Sequence, residues 1–272
     1  MKLNLTNSIS NKIVIVILIL MVLTYLLFIA LPIVAVFSRI SLDIVGTQLQ
    51  NPQIAEAIKL SLFTSAIATL AALFLTVPTA YFMVTRKFPG KAIVDTLIDL
   101  PIVLPPAVAG VALLLAFAPK GLLGPLLNGA GLTVPGSTIA VVMAQIFVAS
   151  PFLLKSAKTS FENMDQEVVN SAKILTGSRL RVFFTITLPL SASVIISGVM
   201  MTWARAMGEF GATIMFAGNL PGITQTMPLS IYTLMSSDPL AGIMLSTILI
   251  ILSFSILIII KLLEQKRFGR KK

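Results

Sequence analysis

The sequence predicts an all-α, polytopic membrane protein of about six transmembrane helices, on three observations. Of its 272 residues 57% are hydrophobic and only 11% charged, whereas a soluble domain carries about a quarter charged residues. Its apolar segments follow one another nearly end to end, without a long polar stretch, so residues 1–272 are read as a single transmembrane domain. Its Lys and Arg residues gather at the ends of those segments instead of forming a stripe, which reports membrane orientation and argues against nucleic acid as a partner of this chain of net charge +10.

The first span runs from Ile13 to Phe37 without a charged residue, which is about 37 Å of helix at ~1.5 Å per residue and enough to cross a bilayer. The apolar core of a cleaved signal peptide is much shorter, about 7 to 15 residues, so this span is expected to remain. Five further apolar segments lie at 59–85, 92–118, 137–158, 182–215 and 240–262. The third span contains Pro101, Pro105 and Pro106. Proline removes intrahelical hydrogen bonds, so that span should kink or unwind among protein neighbours. Between spans three and four, Gly121, Gly124, Pro125, Gly129, Gly131, Pro135 and Gly136 predict a turn-rich hairpin. The sixth span holds fourteen Leu, Ile and Phe residues between Leu240 and Ile260 and no charge, so insertion is strongly favoured.

Basic residues set the orientation. Lys2, Lys12, Arg86, Lys87, Lys91, Lys155, Lys158, Lys173, Arg179, Arg181, Lys261, Lys266, Arg267, Arg270, Lys271 and Lys272 fall on one side, against Arg39, Lys59 and Lys120 on the other. Both termini are therefore expected in the cytoplasm, with the chain a multi-pass component of the cell membrane.

The chemistry available is narrow. With no Cys and no His, disulfides, thiolate or imidazole metal sites, Cys nucleophiles and Ser-His-Asp triads are excluded. No cluster of acid, base and nucleophile appears in the spans, so neither an enzyme nor a catalytic residue is expected, and no metal site. A G-x-x-x-x-G-K-[ST] phosphate loop is missing too, so if ATP drives this protein, another polypeptide binds it.

The inner loop between spans four and five, ENMDQEVVNSAKILTGSRLRVFFTITLP from Glu162 to Pro189, predicts helix, turn, helix. Asp165 is placed to cap the first helix, Glu167 complements its positive end, and Met164 can staple onto Val169. Gly177 suits the left-handed position past the helix end, and Ser178 can cap the second helix. Met164, Val168, Ala172 and Leu175 form an apolar stripe at helical spacing, which has to be buried on the protein's own spans, on lipid or on a partner.

This stretch resembles the Glu-Ala-Ala cytoplasmic loop of ABC importer permeases. Its closing Ile-x-Leu-Pro is present as Ile186, Leu188 and Pro189. The glycine position falls on Thr176, with Gly177 next to it, and the Glu-Ala-Ala positions are Asn170, Ser171 and Ala172. The match is partial, and it keeps the small residues Ser171 and Ala172 that permit close approach. The resemblance implies a type I importer fold and a coupling helix within 162–181 that docks on a separate ATPase. Glu162, Asp165, Glu167, Ser171, Ala172, Leu175, Thr176, Gly177, Arg181 and Pro189 are its candidate residues.

Span five carries the second unusual feature, ARAMGEFGATIMFAGNLPGITQTMPLSIYTLM at 204–234. Charge inside a membrane costs about 2.5 to 3.5 kcal/mol per residue at mid-span, so such residues pair or face a polar cavity. Arg205 and Glu209 are four apart and can neutralise each other. Locking the span and gating a pathway are both open readings of this pair.

The segment closely resembles the molybdate/tungstate branch of the same permeases, where an Arg, Gly-Glu-Phe-Gly-Ala-Thr, Pro-Gly and Thr-x-Pro recur in order. Here these are Arg205, Gly208 to Thr213, Pro221 with Gly222, and Thr226 with Pro228. Sulfate and thiosulfate permeases are similar through Gly-Glu-Phe-Gly and stand as the alternative, with an autonomous secondary transporter more distant. The resemblance implies an oxyanion pathway formed with a second copy of the chain, two ABC ATPase subunits carrying ATP and Mg, and an extracytoplasmic oxyanion-binding protein. No cofactor is expected on this chain, and Arg205, Gly208, Glu209, Phe210 and Gly211 are the candidate gate residues.

Overall fold

The computed structural model describes residues 9–40, 46, 48 and 50–268, and those residues form helices without a strand. Lys2, Arg270, Lys271 and Lys272, counted above among the inner basic residues, lie outside the described residues. The elements are α1 (Ile9–Phe37), α2 (Pro52–Thr85), α3 (Lys91–Val103), α4 (Pro106–Phe117), α5 (Gly124–Gly129), α6 (Thr138–Glu162) and α7 (Gln166–Thr176). They continue with α8 (Arg179–Met207), α9 (Gly211–Phe216), α10 (Met227–Ser237) and α11 (Pro239–Phe268). The second span begins earlier than hydropathy indicates, because Asn51 caps α2 by accepting the Gln53 N–H at 3.0 Å and Pro52 fits the first turn.

Five helices are long and apolar enough to cross a membrane, and the bent pair α3 with α4 passes the same test when taken together, which makes up to six. The break is where the proline cluster places it: α3 ends at Val103, α4 starts at Pro106, and their axes turn by 116°. Tyr81 near the end of α2 packs on Phe161 at the end of α6, ring centres 5.9 Å apart, and on Phe183 at the start of α8, 4.6 Å apart. The ends of α2 and α6 and the start of α8 therefore share one side of the bundle. The stretch between α2 and α6, which contains the bent pair, accordingly brings the chain to the other side before α6 begins.

Small residues set the spacing of this bundle. Along α2, Ser61, Thr64, Ser65, Ala68, Thr69 and Ala72 are buried, and along α6 so are Ala140, Ala144, Ala149 and Ala157, which lets backbones approach where lipid supplies no hydrophobic drive. Gly198 of α8 has the same role, since a Cβ there would lie 2.7 Å from the Ser156 Cβ. Several hydroxyls along α2 bond within the helix, as Thr69 donates to the Ser65 carbonyl at 2.7 Å, while Ser65 accepts the Trp203 indole N–H at 2.9 Å. By contrast α1 is exposed from Val14 to Ala35 and has α11 as its neighbour in the fold.

Candidate functional site

The helix predicted in the inner loop is α7, and its ends are built as the sequence indicates. Asp165 accepts the Glu167 N–H at 2.8 Å, and Gly177 sits in the left-handed region at φ 61° with its N–H on the Lys173 carbonyl at 2.9 Å. Ser178 then caps α8 by accepting the Arg181 N–H at 3.3 Å. These caps fix a two-residue elbow, Gly177 and Ser178, between α7 and the 29-residue α8.

Burial corrects the expected stripe. Val169 and Ala172 are packed with Val182, and Met164 and Ile186 pack against them. Met164 thus meets Val169 as the staple requires, but Val168 and Leu175 are exposed. The helix carries apolar residues on two faces, and α8 selects the one containing Val169 and Ala172. The other leaves Ile174 and Leu175 at 84% and 86% exposure, a small apolar tip. Glu162, Asp165, Glu167, Ser171 and Arg181 are exposed, and Thr176 closes α7.

The Ile-x-Leu-Pro residues have separate tasks. Ile186 packs against α7 and Leu188 against the cluster of Ala80, Leu153 and Ala157. Pro189, which has no N–H to give, comes after a π-helical turn over Phe183–Thr187 in which the Leu188 N–H reaches the Phe183 carbonyl. The wider turn absorbs the missing donor while α8 continues.

At the far end the structure departs from the predicted span. Helix α8 stops at Met207, so the apolar segment 182–215 is two helices and not one. Glu209 makes the break: it is 1% exposed, with Oε2 2.6 Å from Arg205 Nη1 and Oε1 accepting the Ala212 N–H at 2.8 Å. One carboxylate thus ties the end of α8 to the first turn of α9. Phe210 packs on Tyr232 of α10, ring centres 5.5 Å apart.

Gly211 and Gly208 differ. A Cβ on Gly211 would meet the Pro106 Cβ at 2.6 Å, and one on Gly110 would meet the Ala212 carbonyl oxygen at 2.6 Å, so α4 and α9 touch backbone to backbone. Gly208 has only the Ala204 carbonyl near its Cβ position, at 3.6 Å, and ends α8 without enabling a contact.

Two features are not anticipated by the sequence patterns. Lys158 pairs with Asp95 at 2.7 Å and Lys155 with Asp99 at 3.1 Å, which fastens α3 to the C-terminal half of α6. The acids are four apart on one helix and the bases three apart on the other, a spacing visible in the sequence that the use of these lysines for orientation alone overlooks. The second feature is an amide chain at the other end: Gln53 donates to Gln225 at 2.9 Å, and Gln225 to Asn219 at 3.0 Å. Asn219 in turn donates to Thr233 at 2.9 Å, holding the loop between α9 and α10 against the start of α2.

Among the described residues no group of His, Cys, Asp and Glu is placed to hold a metal ion. A helix with an apolar tip joins through a capped elbow to a rod long and apolar enough to cross a membrane, whose far end is tied through Glu209 to a short helix lying against α4. The family described as binding-protein-dependent transport system inner membrane component matches residues 76–269. The chain belongs to this family.

Among relatives of this inner-membrane component is the molybdenum transport system permease protein ModB of Mycobacterium tuberculosis, 38% identical over 232 residues, covering 84% of this chain and 86% of the relative. The molybdate/tungstate transport system permease protein WtpB of Thermococcus kodakarensis is 35% identical over 245 residues, covering 88% and 92%. A bacterial ABC transporter for the acidic polysaccharide alginate superposes with a TM-score of 0.75 at 16% identity, over 97% of each chain. The same kind of transporter bound to an alginate-loaded periplasmic protein gives 0.73 at 17% identity, over 95% and 96%. These two agree in fold, the type I ABC importer permease.

Proposed function

We propose that this chain is the permease subunit of an ATP-driven importer of molybdate and tungstate. Two copies form the pathway, and each is coupled through α7 to a separate ATPase subunit that binds ATP and Mg. An extracytoplasmic binding protein captures the oxyanion and delivers it, and both termini of the chain are cytoplasmic. The substrate class rests on the relatives named for molybdenum and for molybdate/tungstate transport, which match over most of the chain. The single observation that carries the coupling role is the exposed pair Ile174 and Leu175 on a capped helix whose other face is anchored to α8.

In this reading a push on α7 passes through the elbow at Gly177 into α8. From Arg179 to Arg205 the rod covers about 39 Å at ~1.5 Å per residue, which takes the displacement across the hydrocarbon layer of ~30 Å. There the Arg205–Glu209 pair passes it to α9, and the glycine contact passes it to α4. The chain supplies no tight oxyanion site, because cationic side chains are few within its spans, and its work is conformational.

The test is uptake of molybdate into vesicles holding this chain, its ATPase and its binding protein. Uptake that requires ATP and both partners supports the proposal. Gradient-driven uptake by this chain alone overturns it.

A further inference from the structure

On the inner side, a cleft of about 580 Å³ lies between the last turns of α2, the end of α7 and the start of α8. One wall is aromatic, formed by Tyr81 and Phe82 of α2 with Phe183 and Phe184 of α8. Three cations line the same cleft from three elements: Arg86 just past α2, Lys173 of α7 and Arg179 of α8. No acidic side chain is among the described residues lining it. The ion pairs of the described residues involve Lys155, Lys158 and Arg205 instead, and Lys173 donates to the neutral Asn170, at 3.2 Å. A smaller cavity of about 160 Å³ shares Tyr81, Thr85 and Lys173 and reaches Thr187, whose buried hydroxyl has no partner among the described residues.

We propose that this cleft is a binding site for one anionic phospholipid of the inner leaflet. Lys and Arg at the ends of spans are ordinary for orientation, but these three come from three elements and line one cavity. Its aromatic wall suits an acyl chain, which a site built for a free inorganic anion would not need. Phe82 and Phe184 are more than half exposed, so the cleft opens towards lipid at the level where the apolar part of α2 gives way to Arg86. Charge complementarity then selects an anionic headgroup, each basic residue near a membrane surface adding about 1 kcal/mol to such binding. The apolar tip at Ile174 and Leu175 does not line the cleft, so a lipid here and a protein on the tip are compatible. Lipid in this position meets residues on either side of the elbow, Lys173 of α7 and Arg179 of α8, and can tune it. The site stands on its own geometry, whether or not the chain carries molybdate.

The experiment is native mass spectrometry of the purified full chain titrated with phosphatidylglycerol or phosphatidylcholine. The expected result is one phosphatidylglycerol retained in preference to phosphatidylcholine. Affinity should fall about fivefold for each of Arg86→Gln, Lys173→Gln and Arg179→Gln, while Lys120→Gln leaves it unchanged. If the Arg86→Gln or Lys173→Gln variant does not survive purification, Arg179→Gln alone, at an exposed position, makes the same distinction. Equal retention of both lipids, or unchanged retention by the variants, overturns the proposal. So does displacement of the lipid by inorganic phosphate or molybdate alone at comparable concentration, which would make the cleft a free-anion site, or exclusion of lipid once the ATPase is bound, which would make it a protein contact.

Discussion

Arg205 and Glu209 are ion-paired at 2.6 Å although the helix that would make them neighbours has already ended at Met207. The pair therefore does more than neutralise two charges within one turn. Glu209 bends back to Arg205 with one oxygen and caps α9 with the other, so a single buried carboxylate decides both where α8 stops and where α9 starts.

Removing that carboxylate should cost stability and transport together. Glu209→Ala leaves Arg205 unpaired and the Ala212 N–H without its acceptor, and a loss of about 2–4 kcal/mol is expected, below the figure for a fully buried pair because Arg205 keeps partial solvent contact. Glu209→Gln keeps an acceptor and should lose less. Arg205→Ala should slow uptake while leaving the affinity for the binding protein unchanged. Thermal unfolding in detergent and vesicle uptake measure both effects, and a wholly normal Arg205→Ala transporter would remove the gating role.

Apolar content, periodicity and local caps made most of this fold legible, and what they missed has a common cause. The proline cluster announced the 116° turn because a missing N–H acts wherever it lies. The ends of α7 were readable because Asp165, Gly177 and Ser178 act on backbone within a few residues of themselves. Hydropathy could not find the break at Gly208, since Phe210 to Phe216 is as apolar as a continuing span, and a side chain folding back on its own backbone decides it. Nor could periodicity choose between the two apolar faces of α7, because the choice is made by Val182 and Ile186 on another helix. The pairs from α3 to α6 join residues some sixty positions apart, beyond the reach of any local rule.

The backbone contact between α4 and α9 gives a graded test. Gly211→Ala and Gly110→Ala each force a Cβ to 2.6 Å from Pro106 or from the Ala212 carbonyl oxygen, and overpacking of this kind costs about 1–3 kcal/mol. Gly208→Ala meets its nearest neighbour at 3.6 Å and should be close to neutral. Melting temperatures of the three variants should separate in that order, and an equal response would mean that the contact does not hold the two helices.

The two ion pairs on α3 should differ in strength. Asp95 and Lys158 are the less exposed pair, Asp99 and Lys155 the more exposed one, at about half. Exposed pairs contribute about 0.2–1 kcal/mol, so a double-mutant cycle on Asp99→Asn and Lys155→Gln should fall in that range, with a larger coupling for Asp95→Asn and Lys158→Gln. Raising the salt concentration should weaken the more exposed pair, Asp99 with Lys155, first. Identical couplings would show that burial does not set their strength.

The tip of α7 offers the cleanest separation of folding from coupling. Leu175 is 86% exposed and touches no core, so Leu175→Asp should leave insertion and melting temperature unchanged. Ala172 is 5% exposed and packs between Val169 and Val182. Ala172→Glu therefore forces a carboxylate into an apolar contact and should loosen α7 itself. Both variants should uncouple ATP hydrolysis from uptake, Leu175→Asp by losing the partner and Ala172→Glu by losing the helix. Proteolysis at the loop separates the two causes, with faster cleavage expected only for Ala172→Glu. Full uptake by Leu175→Asp would move the ATPase contact away from this tip.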